Sequence, residues 1–214
     1  VIKIWGRANS VNVQKVLWCC DELGLPYERI DAGLHHGRNN EPEYLAMNPN
    51  GRVPTLEDGD FVLWESNSIM RYLALQYGAG QAQDKSHDLY PAQPRLRASI
   101  DRWLDWTLST LQPAERNVFW GIVRTPPAER DMAAIQKGAD ACGALWGMLD
   151  THLAGRAYVE GNAFSLADIV LGAYCRRYLE LDGIQRPALP HLQKWYEGVR
   201  QRPAFQRYVA PALT

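Results

Sequence analysis

A chain of 214 residues, 46% of them apolar, with a formal net charge of −1 is long enough for one large or two small cores and too apolar for a disordered chain. The near-neutral charge gives no pull toward nucleic acid or an anionic membrane, and no apolar run approaches membrane-spanning length. The four cysteines, Cys19, Cys20, Cys142 and Cys175, show no CxxC and no Cys/His spacing suited to zinc, so they read as reduced apolar thiols and no metal is expected.

Val1 to Trp5 is a short, apolar, β-branched strand pattern with no charged-then-apolar leader ahead of it, which makes the cytoplasm the expected compartment. Gly6 and the polar Arg7-Ala8-Asn9-Ser10 follow. Val13, Val16, Leu17, Cys20 and Leu23 then share one helical face, stopped by Gly24 and Pro26. Tyr27 to Ile30 is a second strand, and strand, crossover helix and strand predict a parallel pair. A polar loop at 32–41 carries His35 and His36. Pro42 suits the first position of a short helix through Tyr44, Leu45 and Met47. Asn48-Pro49-Asn50-Gly51-Arg52-Val53-Pro54-Thr55-Leu56 turns the chain into another strand, where Pro54 fits only a first or edge position. Val53–Glu57 and Phe61–Trp64 flank Asp58-Gly59-Asp60, a hairpin signal. Glu65-Ser66-Asn67 opens a helix with Ile69, Tyr72, Leu73 and Tyr77 on one face. The order β-α-β-α-β-β-α predicts an α/β domain with a mixed sheet over residues 1–78.

Residues 79–94 lose periodicity and read as an interdomain linker. Residues 95–214 read as an all-α domain. Arg95 to about Val123 carries Leu96, Ile100, Trp103, Leu104, Leu108 and Leu111 at helical spacing, and Pro113 should kink or break that run. Beyond Pro126-Pro127 a second long helix reaches about Leu153, with Ala134, Cys142, Leu145 and Leu149 inward. Ser165-Leu166-Ala167-Asp168 fits a capping box, Asp replacing Glu, before an apolar helix from Ile169 to Leu181. Pro190–Arg200 and Pro203–Tyr208 give two more helices.

Ligands of open α/β sheets gather at the carboxyl ends of strands, beside helix N-termini. Here those ends carry Ser10, Val53-Pro54 and Glu65-Ser66. Ser10 either caps the first helix or donates to an anion at its positive end, where a thiolate would be favoured. Asn12 is a second donor. A cis Val53–Pro54 bond would turn the N–H and C=O of Val53 outward as an edge for an extended peptide; the alternative is a plain turn. Glu65 and Ser66 are either a solvated carboxylate and a cap or a clamp for an α-amino acid head group. Arg52, with one of His35, His36 or Arg38, would meet a second carboxylate. A thiolate site, a strand edge and an amino-acid clamp suit a thiol tripeptide.

With these residues in view, the chain resembles a cytosolic glutathione transferase, of the serine type and theta-like or a related bacterial member, over nearly its whole length. Asn48 to Leu56 is similar to the family's cis-proline segment, Glu65-Ser66-Asn67-Ser68-Ile69 to its Glu-Ser motif for the γ-glutamyl group, and Ser165 to Asp168 to its helix-capping motif. The resemblance implies a thioredoxin-like N-terminal domain at 1–78 and a helical domain at 95–214 that contributes the electrophile pocket. It implies glutathione as co-substrate, conjugation to small hydrophobic electrophiles in detoxification, and a homodimer in which Asp101 or Asp105 of the long helix reaches the other copy's glutathione. Ser10 matches the thiolate-stabilising serine, and Asn12 the asparagine used by some bacterial and fungal members. Trp5 stands where other members carry tyrosine, and no cysteine occupies the site. Glutathione contacts are implied for His36 or Arg38 (with His35 as an alternative), Arg52, Val53, Pro54, Glu65, Ser66 and Asn67. Arg116, Phe119, Trp120 and Arg124 are implied for the electrophile pocket; otherwise the aromatics are packing and the arginines are surface charges or favour anionic or polar substrates. A dehalogenase, an isomerase, a disulfide reductase using Asn12, or a non-catalytic binder would need the same clamp.

Overall fold

The computed structural model describes residues 1–81 and 88–214. β1 (Ile2–Trp5), α1 (Val11–Glu22) and β2 (Tyr27–Ile30) form a βαβ unit, with β1 and β2 parallel and Ile2 opposite Tyr27. After α2 (Pro42–Met47), β3 (Thr55–Asp58) lies antiparallel to β1, and β4 (Phe61–Trp64) antiparallel to β3. The resulting order is β2-β1-β3-β4, the mixed sheet expected. Gly59, at φ 65°, supplies the left-handed residue of the tight β3–β4 turn. β3 starts two residues later than the apolar run suggested, because Pro54 has no N–H to give a ladder. α1 and α3 (Ser66–Gln81) pack together, and Ile4, Val13, Val16, Leu56, Ile69 and Leu73 form the core between helices and sheet.

The linker is more structured than its composition suggested. α3 runs to Gln81, residues 82–87 of the linker lie outside the described residues, and Leu89 and Tyr90 are buried. The carbonyl of Leu89 accepts from the Leu166 N–H at 2.9 Å, which ties this end of the linker to the helical domain.

α4 (Pro94–Trp106) and α5 (Gln112–Phe119) are joined by a π-helical turn, Thr107–Leu111, and a second π turn, Trp120–Arg124, follows. The run expected to kink or break at Pro113 changes its bonding register just before that residue and stays helical through it. The π turn shifts the bonding register so that Pro113 falls in the first turn of α5, where a missing donor costs nothing. α6 (Met132–His152) turns Ile135, Ala139, Cys142, Trp146 and Leu149 inward, a four-three-four-three spacing. Ala134, expected inward, lies off that stripe and is exposed.

α7 (Leu166–Leu179) is buried on nearly every side, as suits a helix at the centre of a domain. Its capping box is present: Asp168 accepts from the Ser165 N–H and hydroxyl (3.0 Å each), the Val159 N–H (2.9 Å) and the Trp195 indole N–H (2.8 Å). α8 (Pro190–Arg200) and α9 (Pro203–Tyr208) close the domain. The two domains dock through α1 against α7 and α9, where Trp18 meets Phe164 and Phe205. Gly172 permits that approach: a Cβ there would stand 2.9 Å from Val199 and 3.1 Å from the Trp18 ring. All four cysteines are free and buried, and no helix among the described residues is long and apolar enough to cross a membrane.

Candidate active site

The site begins in the β1–α1 loop. The Gly6 N–H donates to Ile30 O (2.8 Å) and the Arg7 N–H to Ala32 O (3.0 Å), which pins the loop against the end of β2. Ser10 occupies the N-cap position of α1 in extended conformation, yet its side chain makes no capping bond. Its hydroxyl has no hydrogen-bond partner among the described residues and stands at the positive end of the helix. Asn12, in the first turn, accepts through Oδ1 from the hydroxyls of Ser66 (3.4 Å) and Tyr174 (3.3 Å). That leaves its amide N–H groups without a partner among the described residues.

The second component is the Val53 platform. The Val53–Pro54 peptide bond is cis, and neither the N–H nor the C=O of Val53 has a hydrogen-bond partner among the described residues. Around it the chain is heavily pinned. The Asn48 amide donates to Arg52 O (2.9 Å) and Thr55 Oγ1 (3.0 Å), and its Oδ1 accepts from the Asn50 N–H (3.1 Å). The Tyr44 hydroxyl donates to the same Arg52 carbonyl at 2.6 Å. The third component is the start of α3, where Glu65 is held at φ 71° and Ser66 is the first helical residue rather than the cap. A positive φ at a non-glycine residue marks a backbone that its surroundings over-determine.

Two adjoining cavities, of about 340 and 260 Å³, share Asn12, Arg52, Val53 and Gln112 in their walls. The smaller holds Asn50, Pro54, Glu65 and Ser66. The larger holds Ser10 and, opposite the α/β domain, Glu115, Arg116, Trp120, Tyr174 and Arg177. Ser10, Asn12, Arg52, Val53, Pro54, Glu65 and Ser66 are thus brought together as the sequence suggested, and Arg116 and Trp120 join them.

Other candidates fall elsewhere. His36 lies 3.5 Å from Asp31, stacked on His35, and Arg38 covers the Trp5 ring beside a separate groove. Neither lines the two cavities; Asn39 does, anchored by its amide to Gly51 O at 2.8 Å. Asn67 is a strut, accepting from the Lys15 ammonium (2.9 Å) and donating to Leu104 O (2.9 Å). Phe119 is buried beneath the Arg177 guanidinium, 3.7 Å from its ring centroid, and so is packing. Arg124 lines neither cavity, although its charge acts on Arg7.

Several groups in or near the cavities were not singled out from sequence: Arg7, Glu115, Tyr174 and Arg177 line the larger one, and Lys15 is buried within reach of the Glu65 charge. Lys15 is fully buried, and burial pushes its ammonium down to about 7, opposed by the Glu65 carboxylate. Glu115 is 3% exposed, and burial pushes its carboxyl up to about 7 against the pull of Arg177, whose Nη1 lies 3.6 Å away. Burial and the charges of Arg124 and Arg177 lower Arg7 from its ordinary value. Among the described residues no group of three or more His, Cys, Asp or Glu could hold a metal ion.

Known proteins resemble this chain over nearly its whole length. The pattern of the glutathione S-transferase N-terminal domain matches residues 1–75, and that of the C-terminal domain matches residues 105–203. Glutathione S-transferase GstB of Escherichia coli (strain K12) is 43% identical over 211 residues, covering 98% of either chain. Glutathione S-transferase 3 of Zea mays is 34% identical over 98% of this chain and 93% of its own. The theta class glutathione S-transferase from the citrus canker pathogen Xanthomonas axonopodis pv. citri, solved with glutathione bound, superposes with a TM-score of 0.91 at 50% identity, covering 100% of this chain and 99% of that one. The chain belongs to the glutathione S-transferase family.

Proposed function

We propose that the two cavities hold glutathione extended across the Val53 edge, and that the larger one receives a small electrophile for conjugation. Glu65 takes the γ-glutamyl ammonium and the start of α3, with Ser66, its carboxylate. The N–H and C=O of Val53 pair with the cysteinyl backbone, as in β-augmentation. Arg52 and Asn39 meet the glycyl end. The sulfur then lies beside Ser10, whose O–H donates to it while the N-terminus of α1 adds positive potential. Both favour thiolate over thiol, and each unit of thiol pKa lowering corresponds to about 1.4 kcal/mol. Asn12, fixed by Ser66 and Tyr174, is a second donor to the sulfur. The thiolate attacks the electrophile, a C–S bond forms and the leaving group departs with its electron pair.

The observation that carries this reading is the uncommitted Ser10 hydroxyl in the same cavity as the unpartnered Val53 backbone. With chlorodinitrobenzene as electrophile, Ser10→Ala should lower kcat by about 10- to 100-fold and leave the KM for glutathione within a few fold. An unchanged kcat would return Ser10 to a purely structural role. The chain works in the cytoplasm, in keeping with four free buried thiols. It works as a homodimer, supported by exposed Phe61 and Trp64 on the edge strand β4. Asp101 and Asp105, implied above to reach a partner's glutathione, are held by Arg71 of the same chain at 2.6 and 2.7 Å. Light scattering tests the assembly.

A further inference from the structure

Taking the transferase reading as its base, the structure carries an inference about the electrophile. The far wall of the larger cavity is unusually cationic for a site meant for apolar molecules. Arg7 comes from the β1–α1 loop, Arg116 from α5 and Arg177 from α7, and the charge of Arg124 also acts on Arg7. Among the described residues these four arginines make one contact with a carboxylate, Arg177 to Glu115 at 3.6 Å. That carboxyl is itself driven toward neutrality by burial. Arg7 Nε is buried with no hydrogen-bond partner among the described residues, and a buried charged donor left unpaired is costly. Arg116 lies over the ring of Trp120 at 5.3 Å from its centroid, and that indole is 46% exposed, so a flat apolar face adjoins the charge. Arg52, shared with the smaller cavity, is taken by the tripeptide; the other three lie beyond it.

We propose that the electrophile accepted beside Ser10 is an anion: a small molecule carrying a carboxylate, or an oxyanion of like geometry, which Arg7, Arg116 and Arg177 hold while the reacting carbon faces the sulfur. Guanidinium groups suit this because they pair with carboxylates in a planar fork. The bound anion gives the Arg7 guanidinium, which lines the cavity and pairs with no carboxylate among the described residues, a charged partner. In the reaction the sulfur lone pair forms the C–S bond, the carbon–halogen pair leaves as halide, and the thiol proton goes to solvent. The carboxylate is unchanged.

The test compares 4-chloro-3-nitrobenzoate with its methyl ester, each kcat/KM divided by the uncatalysed second-order rate with glutathione, which removes their difference in intrinsic reactivity. The wild type should favour the carboxylate by about tenfold or more, the range of one or two charge-assisted hydrogen bonds. Raising ionic strength should erode the carboxylate's advantage. Arg7→Met and Arg116→Met should each reduce the carboxylate-to-ester ratio by about 5- to 30-fold, and Arg116→Lys should restore part of it. A wild-type ratio at or below one, with the ester turned over, overturns the inference while the transferase reading stands. A high ratio unmoved by either substitution, with both variants folded, also overturns it, as does a rise in the KM for glutathione with no change in ratio. Turnover of neither substrate overturns the reading beneath it and the inference together. Should a variant fold poorly, competition against chlorodinitrobenzene in the wild type decides: 4-nitrobenzoate should inhibit more tightly than 4-nitrobenzamide, and equal inhibition counts against the anion.

Discussion

The two sides of the cleft are built in different ways. The proposed glutathione side comes from short segments of the α/β domain, and its central platform, Asn48–Thr55, is pinned locally by Asn48 and Tyr44. The electrophile side is assembled from groups far apart in the chain, Arg7, Glu115, Arg116 and Arg177, which meet only because α7 packs against both α1 and α5. Backbone edges and local hydrogen bonds make a rigid acceptor for one fixed peptide. A wall of long side chains on packed helices can change its charge without disturbing that acceptor. On the proposed reading, specificity and nucleophile activation should be separable in this molecule.

The comparison can be broken most forcefully at the foundation of the wall. Asp168→Ala removes four accepted hydrogen bonds at the start of α7 and leaves buried donors unpaired. It should destabilise the fold by about 3–5 kcal/mol, read as a fall in the denaturant midpoint. A loss under about 1 kcal/mol would mean that α7 does not depend on its cap.

Asn48→Ala acts on the other side. It removes one of the two hydrogen bonds to the Arg52 carbonyl and the acceptor of the Asn50 N–H and should cost about 2 kcal/mol. The KM for glutathione should rise about tenfold, with the carboxylate-to-ester ratio unchanged. A changed ratio would show that the two sides are coupled.

The smallest expected effect is at Glu115, which faces Arg177 and Tyr174 of α7 and Cys142 of α6, with Arg7 and Arg116 in the same cavity. Burial raises its carboxyl from 4.5 to about 7. The folded chain therefore holds this proton across pH 4.5–7 while the unfolded chain does not. Its contribution to stability is full below the unfolded value and is lost as pH rises through the folded one. Glu115→Gln should flatten that part of the stability profile. In the wild type the preference for a carboxylate substrate should grow by less than about tenfold as pH falls from 8 to 6, because Arg177 loses its anionic neighbour. In Glu115→Gln the same ratio should be flat with pH.

The uneven legibility of the two sides has the same origin. Val53-Pro54, Glu65-Ser66 and Ser165–Asp168 could be read because each is a contiguous signal whose chemistry is local. Ser10 could be placed but not assigned: an N-cap serine serves a helix or a ligand, and only its missing capping bond separates the two. His36 and Arg38 line neither cavity, and the loop that carries them has no periodicity to read. Gly33, Gly37 and Arg38 all take positive φ there, which turns Asn39 into the cleft instead. Arg177, near the end of an apolar helix, looks like a charge suited to the helix dipole, and Glu115 looks like a solvated residue. Their meeting is a consequence of packing. Pro113 misled for a related reason, since a π turn absorbed a residue that local propensity says should stop a helix.

On the proposed reading, the Ser10 hydroxyl, free of a capping bond, stabilises the glutathione thiolate. The direct measurement is the thiolate absorbance of bound glutathione near about 240 nm, titrated with pH in the wild type, Ser10→Ala and Asn12→Ala at saturating glutathione. The midpoint should lie about one to two units below that of free glutathione in the wild type and rise by about one unit or more in Ser10→Ala, with a smaller rise in Asn12→Ala. A midpoint in Ser10→Ala that coincides with the wild type would contradict the claim.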